Sequence, residues 1–237
     1  MTNPLIDKER ELLQDESNFL SKKFQRRSFL QFTGAGVASI ALIAAGCKKD
    51  SNPTMNTGGV DLGSGDIGIL NYAYALEQLE AAFYKQVSDT PYGGISNNEL
   101  ALLADIRDHE IAHREFFKTA LGSKAIPALE VNFSGIDFGS RDNVLATAKA
   151  FEDLGVSAYN GAGKLIQSAD YLTLAGKIVS VEARHAALIR DLITNGTFAD
   201  SSVVNSNGLD TSRSPAEVLA IAKSFIKTSI NASNLPS

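Results

Sequence analysis

Apolar residues recur at helical spacing in four long segments of the chain. The segments cover about residues 66–87, 97–121, 141–168 and 170–195. In each segment a stripe of hydrophobic side chains repeats every three to four residues, as it does on the buried face of an amphipathic helix. The pattern therefore predicts four helices of similar length.

The connections between these segments predict how the helices are arranged. Short connections join the first helix to the second and the third to the fourth, so each pair is expected to form an antiparallel hairpin. The two hairpins are separated by the long segment 122–140, and a loop of that length in a compact domain is expected to cross the bundle from end to end. The sequence thus predicts an all-α fold, a four-helix bundle of two antiparallel hairpins joined by a long crossover.

Capping signals and composition set the predicted boundaries. Ser96 and Glu99 have the spacing of a capping box before the second helix, and the string Ser214-Pro215-Ala216-Glu217 has it before a short helix at 215–230. This last helix carries no evident chemistry and is interpreted as a packing element. The predicted organisation is a signal at 1–47, a flexible tether at 48–65, the four-helix bundle at 66–200 and a C-terminal extension at 201–237.

The first 47 residues have the features of an export signal. Arg26 and Arg27 precede an apolar run at 32–45, and the string Ala44-Ala45-Gly46-Cys47 follows. This order resembles a twin-arginine signal with a lipoprotein-type end, in which Cys47 is acylated. The resemblance implies export by a route that carries folded, commonly cofactor-loaded proteins, and a periplasmic or cell-envelope protein anchored to the membrane through Cys47. A surface basic pair and a buried or free thiol are the alternative interpretations.

Composition narrows the class of protein. Hydrophobic residues make up 44% and charged residues 21% of the 237 positions, which is typical of a globular domain. The formal net charge of -5 argues against binding to nucleic acid, because phosphate recognition requires a basic surface. No continuous apolar run reaches the roughly 20 residues of a membrane-spanning helix.

Two of the three histidines follow a glutamate by three residues. Glu110-Ile111-Ala112-His113 lies in the second predicted helix, and Glu182-Ala183-Arg184-His185 lies in the fourth. Residues three apart on a helix share a face, so each carboxylate and imidazole can reach one metal ion. Hydrophobic stripes continue through both histidines, which favours this interpretation over four surface residues that share helical spacing.

The first and third helices carry a second matched pair. Glu77 is followed seven residues later by Tyr84, and Glu152 seven residues later by Tyr159, so each pair shares a helix face. The order of these residues and of the Glu-x-x-His motif is therefore repeated, which predicts two hairpins related by a pseudo-twofold axis. Without metal, four glutamates that face one core would repel each other and be costly to desolvate.

The combined set of four glutamates and two histidines from four helices resembles the ferritin-like di-iron and di-manganese family. The string Leu76-Glu77-Gln78-Leu79-Glu80-Ala81-Ala82-Phe83-Tyr84 on an exported chain is similar to bacterial ferritin-like proteins sometimes called desiccation-related. The resemblance covers residues 66–195 and implies two iron or manganese ions with Glu110 and Glu182 bridging. The implied ligands are Glu77, Glu110, His113, Glu152, Glu182 and His185.

Glu80 and His109 allow other interpretations of the ligand set. Glu80 lies one turn after Glu77 and is the alternative ligand, although the tyrosine spacing that is found again at Glu152 favours Glu77. His109 is expected on a neighbouring helix face, at the surface or in a cap rather than on a metal ion.

Tyrosines and glycines near the motifs have both functional and structural interpretations. Tyr84 and Tyr159 are the candidate catalytic residues, with contacts to the ligands or core packing as the commoner roles of such tyrosines. Gly155, Gly161 and Gly163 each weaken the third helix by up to about 1 kcal/mol and are expected to permit close packing of helices.

Three functions are compatible with the sequence. The ligand set favours a redox enzyme of the cell envelope that oxidises Fe(II) or reduces peroxide or dioxygen in stress protection. Iron storage in a closed shell is the second interpretation, although a lipid anchor and tether on every subunit fit it poorly. A non-catalytic envelope protein for stress or desiccation protection, or for binding a partner, is the third. The resemblance is also compatible with a homodimer, since ferritin-like hairpins commonly pair.

Overall fold

The structure, a computed structural model, describes residues 58–237 of the chain. The predicted export signal with Arg26, Arg27 and Cys47 lies outside the described residues, as do residues 48–57 of the predicted tether.

Four long helices form two antiparallel pairs, which confirms the predicted all-α four-helix bundle. They are α1 (Gly65–Asp89), α2 (Asn97–Leu121), α3 (Arg141–Gly163) and α4 (Ala169–Ile193). Helix α1 packs on α2, and α3 packs on α4. Each begins within one residue of its predicted start, because the N-terminal signals are local in sequence. Across residues 58–237, no helix combines the length and apolar character needed to cross a membrane.

Helix α3 ends five residues before its predicted end at Ser168. A segment distant in sequence holds the residues that follow: the carboxylate of Asp66 accepts hydrogen bonds from the backbone N–H groups of Gln167 (2.8 Å) and Ser168 (2.9 Å). Ser168 also caps α4, where its side chain accepts from the backbone N–H of Tyr171. These contacts separate α3 from α4 by a short turn.

The capping box predicted at the start of α2 forms only in part. The Ser96 hydroxyl accepts from the backbone N–H of Glu99 at 3.1 Å, as expected. The Glu99 carboxylate does not bond back to Ser96; it accepts from the hydroxyl of Tyr92 (2.6 Å) and from Nε of Arg141 (2.8 Å). The glutamate thus joins the start of α2 to the start of α3 instead of completing the cap.

Two buried amide side chains of α1 hold the long crossover against that helix. Asn71 donates to the carbonyl of Lys124 (2.9 Å) and accepts from the backbone N–H of Ile126 (2.9 Å). Two turns further on, Gln78 accepts from the backbone N–H of Leu129 (2.8 Å). The crossover therefore follows α1 from its N-terminal end toward its C-terminal end, which confirms the predicted passage along the bundle.

The C-terminal extension begins with the predicted cap but has a shorter helix than predicted. Ser214 and Glu217 form a complete capping box, and α5 covers Pro215–Ala222 rather than 215–230. After α5 the chain turns to the crossover, where the carbonyl of Phe225 accepts from the backbone N–H of Asn132 at 2.8 Å. This long-range pairing ends the helix, and no local signal in the sequence announces it.

A two-stranded parallel pairing joins the two ends of the described chain. Strand β1 (Val60–Asp61) pairs with β2 (Ile230–Asn231), and Leu62 beside β1 is fully buried. The prediction of a flexible tether at 48–65 is therefore wrong for residues 58–65, which belong to the folded domain. The strand was not predicted because the segment is short and its composition is polar and rich in glycine, as in a flexible linker.

Glycines of α3 make room for the C-terminal extension. A Cβ on Gly161 would lie 1.6 Å from the carbonyl oxygen of Arg213, so only glycine allows this backbone to reach the helix. The backbone N–H of Arg213 donates to the carbonyl of Ser157 at 3.0 Å. The close approach at Gly161 is therefore to the C-terminal extension rather than, as predicted, to a helix, whereas at Gly163 a Cβ would meet only an ordinary contact, 3.7 Å from Leu172.

Candidate metal centre

A buried cluster of carboxylates and imidazoles lies among the four long helices. The four carboxylates are fully buried, and the two imidazole side chains are 13% and 5% exposed. Helices α1 and α3 each contribute one glutamate, and α2 and α4 each contribute a Glu-x-x-His pair. The members are Glu77, Glu110, His113, Glu152, Glu182 and His185, so the structure brings all six predicted ligands together.

The candidate ligand atoms of this cluster form two groups of four. Within each group, one atom from each residue lies within 4.8 Å of every other. Glu110 and Glu182 belong to both groups, which is the arrangement that two ions bridged by carboxylates require. The first group adds Glu77 and His113, and the second adds Glu152 and His185.

Both histidines turn Nδ1 toward the carboxylates. Nδ1 of His113 lies 3.0 Å from Oε1 of Glu182 and 3.4 Å from Oε2 of Glu77. Nδ1 of His185 lies 2.8 Å from Oε1 of Glu110. The atoms are close, yet their directions do not suit hydrogen bonds, so these contacts are electrostatic.

Unpaired polar atoms are concentrated in this cluster. Among residues 58–237, ten buried side-chain nitrogen or oxygen atoms have no hydrogen-bond partner, and eight of them belong to the six cluster residues. A buried polar group without a partner is costly, and native structures contain few of them. Polar atoms that converge on a common space without bonding each other are what a metal site requires, so the residues present fit bound metal ions.

The carboxylates have strongly perturbed pKa values when no metal is bound. Burial raises the pKa of Glu77 to about 7, and burial with neighbouring carboxylates raises the pKa of Glu152 and Glu182. Glu110 differs, because burial would raise its pKa but the two histidines lower it to about 2. Glu110 is therefore the carboxylate of the cluster whose pKa lies below its ordinary value.

The pKa values of the two histidines are also shifted, because the buried carboxylates surround them. Burial disfavours a charged imidazole, but the surrounding glutamates raise the pKa of His113 to about 12 and that of His185 to about 10. Protons thus supply the positive charge of the metal-free cluster. Divalent ions would displace these protons, because carboxylate and neutral imidazole are the metal-binding forms.

Two tyrosines connect the halves of the cluster crosswise. The hydroxyl of Tyr84 on α1 donates to Oε1 of Glu152 on α3 at 2.6 Å, and the hydroxyl of Tyr159 on α3 donates to Oε1 of Glu77 on α1. Burial raises the pKa of both phenols well above the usual value, so both remain donors. The spacing of tyrosine and glutamate was read from the sequence, but each tyrosine contacts the glutamate of the other helix.

A fifth buried carboxylate, Glu80, lies beside the cluster. Glu80 is 4% exposed but belongs to neither group of candidate ligands, so the geometry favours Glu77 in the open choice between them. A Cβ on Gly155 would lie 3.0 Å from Oε1 of Glu80 and 3.2 Å from Oε2 of Glu182. Gly155 stands three residues after Glu152, and Glu80 stands three residues after Glu77. The first half of the repeat therefore has a glutamate where the second half has a glycine, and the absence of a side chain at Gly155 leaves room for the carboxylate of Glu80.

His109 lies on the solvent side of the cluster. Its side chain is exposed, as predicted, but its Nδ1 is 3.0 Å from Nε2 of His185, and the two ring planes differ by 7°. Of the two predicted alternatives, surface or cap, the structure has the surface position, because His109 lies in the middle of α2. The signal in the sequence was its position four residues before His113, which places both on one side of the helix.

An apolar cavity of about 30 Å³ adjoins the cluster. Its wall includes Leu76, Ile178 and Phe117, together with Tyr159, whose hydroxyl donates to Glu77. About 10–15 Å³ of such space holds one water molecule. The cavity therefore has room for a diatomic molecule next to Tyr159, which contacts Glu77 of the cluster.

The chain is similar to a known protein family. A family model described as a ferritin-like domain matches residues 65–195, which is more than half of the chain. No curated protein matches the chain at a significant level. The matched segment contains all six residues of the buried cluster.

Proposed function

The chain belongs to the ferritin-like domain family, and from this premise we propose that its bundle binds two iron or manganese ions that oxidise Fe(II) or reduce a small oxidant. The observation that carries the proposal is the convergence of eight unpaired buried atoms on one space. Neither hydrogen bonds nor packing account for that arrangement, and metal ions do.

The donor set fits ions of this class. Anionic carboxylate oxygens suit iron and manganese, and imidazole suits iron while it keeps one ligand neutral. Four carboxylates offset the charge of two divalent ions, which makes a fully buried centre acceptable. Glu110 and Glu182 would lie between the ions, with Glu77 and His113 on one side and Glu152 and His185 on the other. When bound, such ions supply electrons by passing between the divalent and trivalent states.

The chain's own residues hold the centre rigid and dry. Tyr84 and Tyr159 orient the glutamates of the facing helices through their hydroxyl groups, and both tyrosines are buried. The cavity beside Tyr159 is apolar and has room for a molecule of the size of dioxygen. These features support a small oxidant as the co-substrate and leave the tyrosines as positioning residues in this proposal.

Metal analysis of the chain from residue 48 onward, purified without chelator, tests the proposed function. We expect about two iron or manganese ions per chain, and oxidation of added Fe(II) by peroxide or dioxygen faster than in protein-free buffer. Absorbance of ferric products in a stopped-flow experiment measures the rate.

Other outcomes of the same experiment contradict the proposal. Absence of bound metal, with no response to added Fe(II) or Mn(II), would favour the non-catalytic envelope protein. A very large particle in size-exclusion chromatography, with many iron ions per chain, would favour storage instead.

We also propose that the protein is exported by the twin-arginine route and anchored at the membrane by a lipidated Cys47. Arg26, Arg27 and the small residues before Cys47 support this location. Cell fractionation should find the wild-type chain with membranes, whereas Cys47→Ala should appear in the soluble envelope fraction. Equal membrane association of Cys47→Ala would contradict the lipid anchor.

A further inference from the structure

The two metal positions of the cluster are not equivalent. His185 has a side-chain partner on its second ring nitrogen, since Nε2 lies 3.0 Å from Nδ1 of His109. Within residues 58–237, Nε2 of His113 has no such partner. Both histidines face the carboxylates with Nδ1, so this difference between the two imidazoles lies on the side away from the cluster.

The sequence repeat explains the asymmetry. His109 stands four residues before His113 on α2, and Val181 stands four residues before His185 on α4. If the repeat were complete, residue 181 would face His113 as His109 faces His185. A valine side chain cannot accept a hydrogen bond, so only one half of the cluster has this contact.

A hydrogen bond to one imidazole nitrogen decides which nitrogen carries the proton. If Nε2 of His185 donates to Nδ1 of His109, the lone pair of His185 remains on Nδ1, which faces Glu110 and Glu152. The two rings are nearly coplanar, with centroids 5.2 Å apart, which suits this in-plane bond. His109 belongs to neither group of candidate ligands, so its contact is with the histidine alone.

We propose that His109 is a positioning residue that fixes His185 as an Nδ1 ligand and makes the metal position at His185 bind its ion more tightly than the position at His113. The inference rests on the proposed function for the presence of two ions. It adds an order of loading, in which the half of the cluster with the His109 contact fills first.

Stepwise binding of Mn(II) tests the inference, with free Mn(II) measured by electron paramagnetic resonance. We expect two unequal binding steps in the wild-type chain. His109→Ala should weaken the tighter step by about 10–100-fold, the usual effect of removing a partner of a metal-binding histidine. His109→Gln keeps an acceptor oxygen and should restore part of that affinity. Thermal melts of the metal-free variants serve as the folding control, since His109 is exposed and its replacement should leave the melting temperature nearly unchanged.

A second readout reports the proton directly. In the Zn(II)-loaded chain with ¹⁵N-labelled histidine, His185 should show a protonated Nε2 and a metal-bound Nδ1, and the Nε2 proton should exchange faster with water in His109→Ala. A metal-bound Nε2 in the wild type would overturn the inference.

The outcomes separate this inference from the proposed function. If the wild type binds two ions and oxidises Fe(II) while wild type, His109→Ala and His109→Gln give superimposable Mn(II) curves, only the role of His109 is overturned. If the wild type binds no ions, the two-metal centre is overturned and the loading order with it.

Discussion

Replacement of both Glu110 and Glu182 by alanine is expected to reduce the bound metal from two ions per chain to nearly none and Fe(II) oxidation to the rate in buffer. These two residues belong to both groups of candidate ligands, so their loss removes two of four ligands at each position. The remaining set, one glutamate and one histidine per position, is too small to hold a buried divalent ion. Elemental analysis and the stopped-flow assay measure the two effects.

The double variant has matched controls within the same chain. Glu115→Ala with Glu130→Ala removes two glutamates that are half-exposed or more and lie outside the cluster. This control is expected to retain two ions and the wild-type rate, since exposed ion pairs contribute little to stability. Glu110→Gln with Glu182→Gln preserves side-chain volume but removes the two negative charges. If this variant also loses metal, the cause is the lost ligand charge and not a cavity. Retention of two ions by the alanine pair would place the metal elsewhere.

The metal-free chain is expected to become less stable as the pH rises from 5 to 8. Burial raises the pKa of Glu77 from 4.5 to about 7, so in this window the folded state holds a proton that the unfolded state has released. Stability therefore falls as the pH rises through the folded pKa, by about 3 kcal/mol for this residue alone. In thermal unfolding with chelator this corresponds to a melting temperature lower by roughly 10 °C at pH 8.

The other titrating groups of the cluster act in the same direction over this range. The raised pKa values of Glu80, Glu152 and Glu182 mean that these groups also hold protons more tightly in the folded state. The stability contributed by the two histidines is fully present below their unfolded-state pKa of 6.5. It is lost as the pH rises toward the folded-state pKa, about 10 for His185 and about 12 for His113. The pKa of Glu110 is lowered in the folded state, so its contribution to stability depends on pH in the opposite direction. That contribution is lost only as the pH falls toward about 2.

Metal should reverse this dependence, because ions replace the protons and bind more tightly as the pH rises. With two equivalents of Mn(II), the melting temperature is expected to rise between pH 5 and pH 8. Glu77→Gln should make the metal-free profile less steep by the contribution of this one residue, while the remaining groups keep its direction. A metal-free melting temperature that stays constant or rises over this range would contradict the assignment of buried protons to the cluster.

Local patterns were sufficient to predict the helices and the ligand types. Starts of α2, α3 and α4 follow from Ser96, Ser140 and Ser168, whose side chains each accept from a backbone N–H of the first turn. The Glu-x-x-His spacing predicts a shared face without knowledge of any neighbour. Features that depend on one segment alone are the ones that sequence reasoning recovers.

Contacts between distant segments were not predictable in the same way. The crosswise bonds of Tyr84 and Tyr159 depend on how α1 and α3 lie against each other, and the His109–His185 contact depends on the packing of α2 against α4. Asn71 occupies an apolar stripe of α1 because it binds a crossover that passes fifty residues later. Spacing within one helix contains no information on such partners.

The pairing of β1 with β2 has a mechanical consequence. Any force on the chain before Gly58 reaches this pair first, where the backbone N–H groups of Val60 and Leu62 donate to the carbonyls of Ser229 (2.8 Å) and Asn231 (3.1 Å). A pull must break these bonds and extract the buried side chain of Leu62 before it acts on α1. If the chain is anchored through the residues before Gly58, as proposed, the two strands therefore bear the load first, and the helices that carry the cluster keep their alignment while the strands hold.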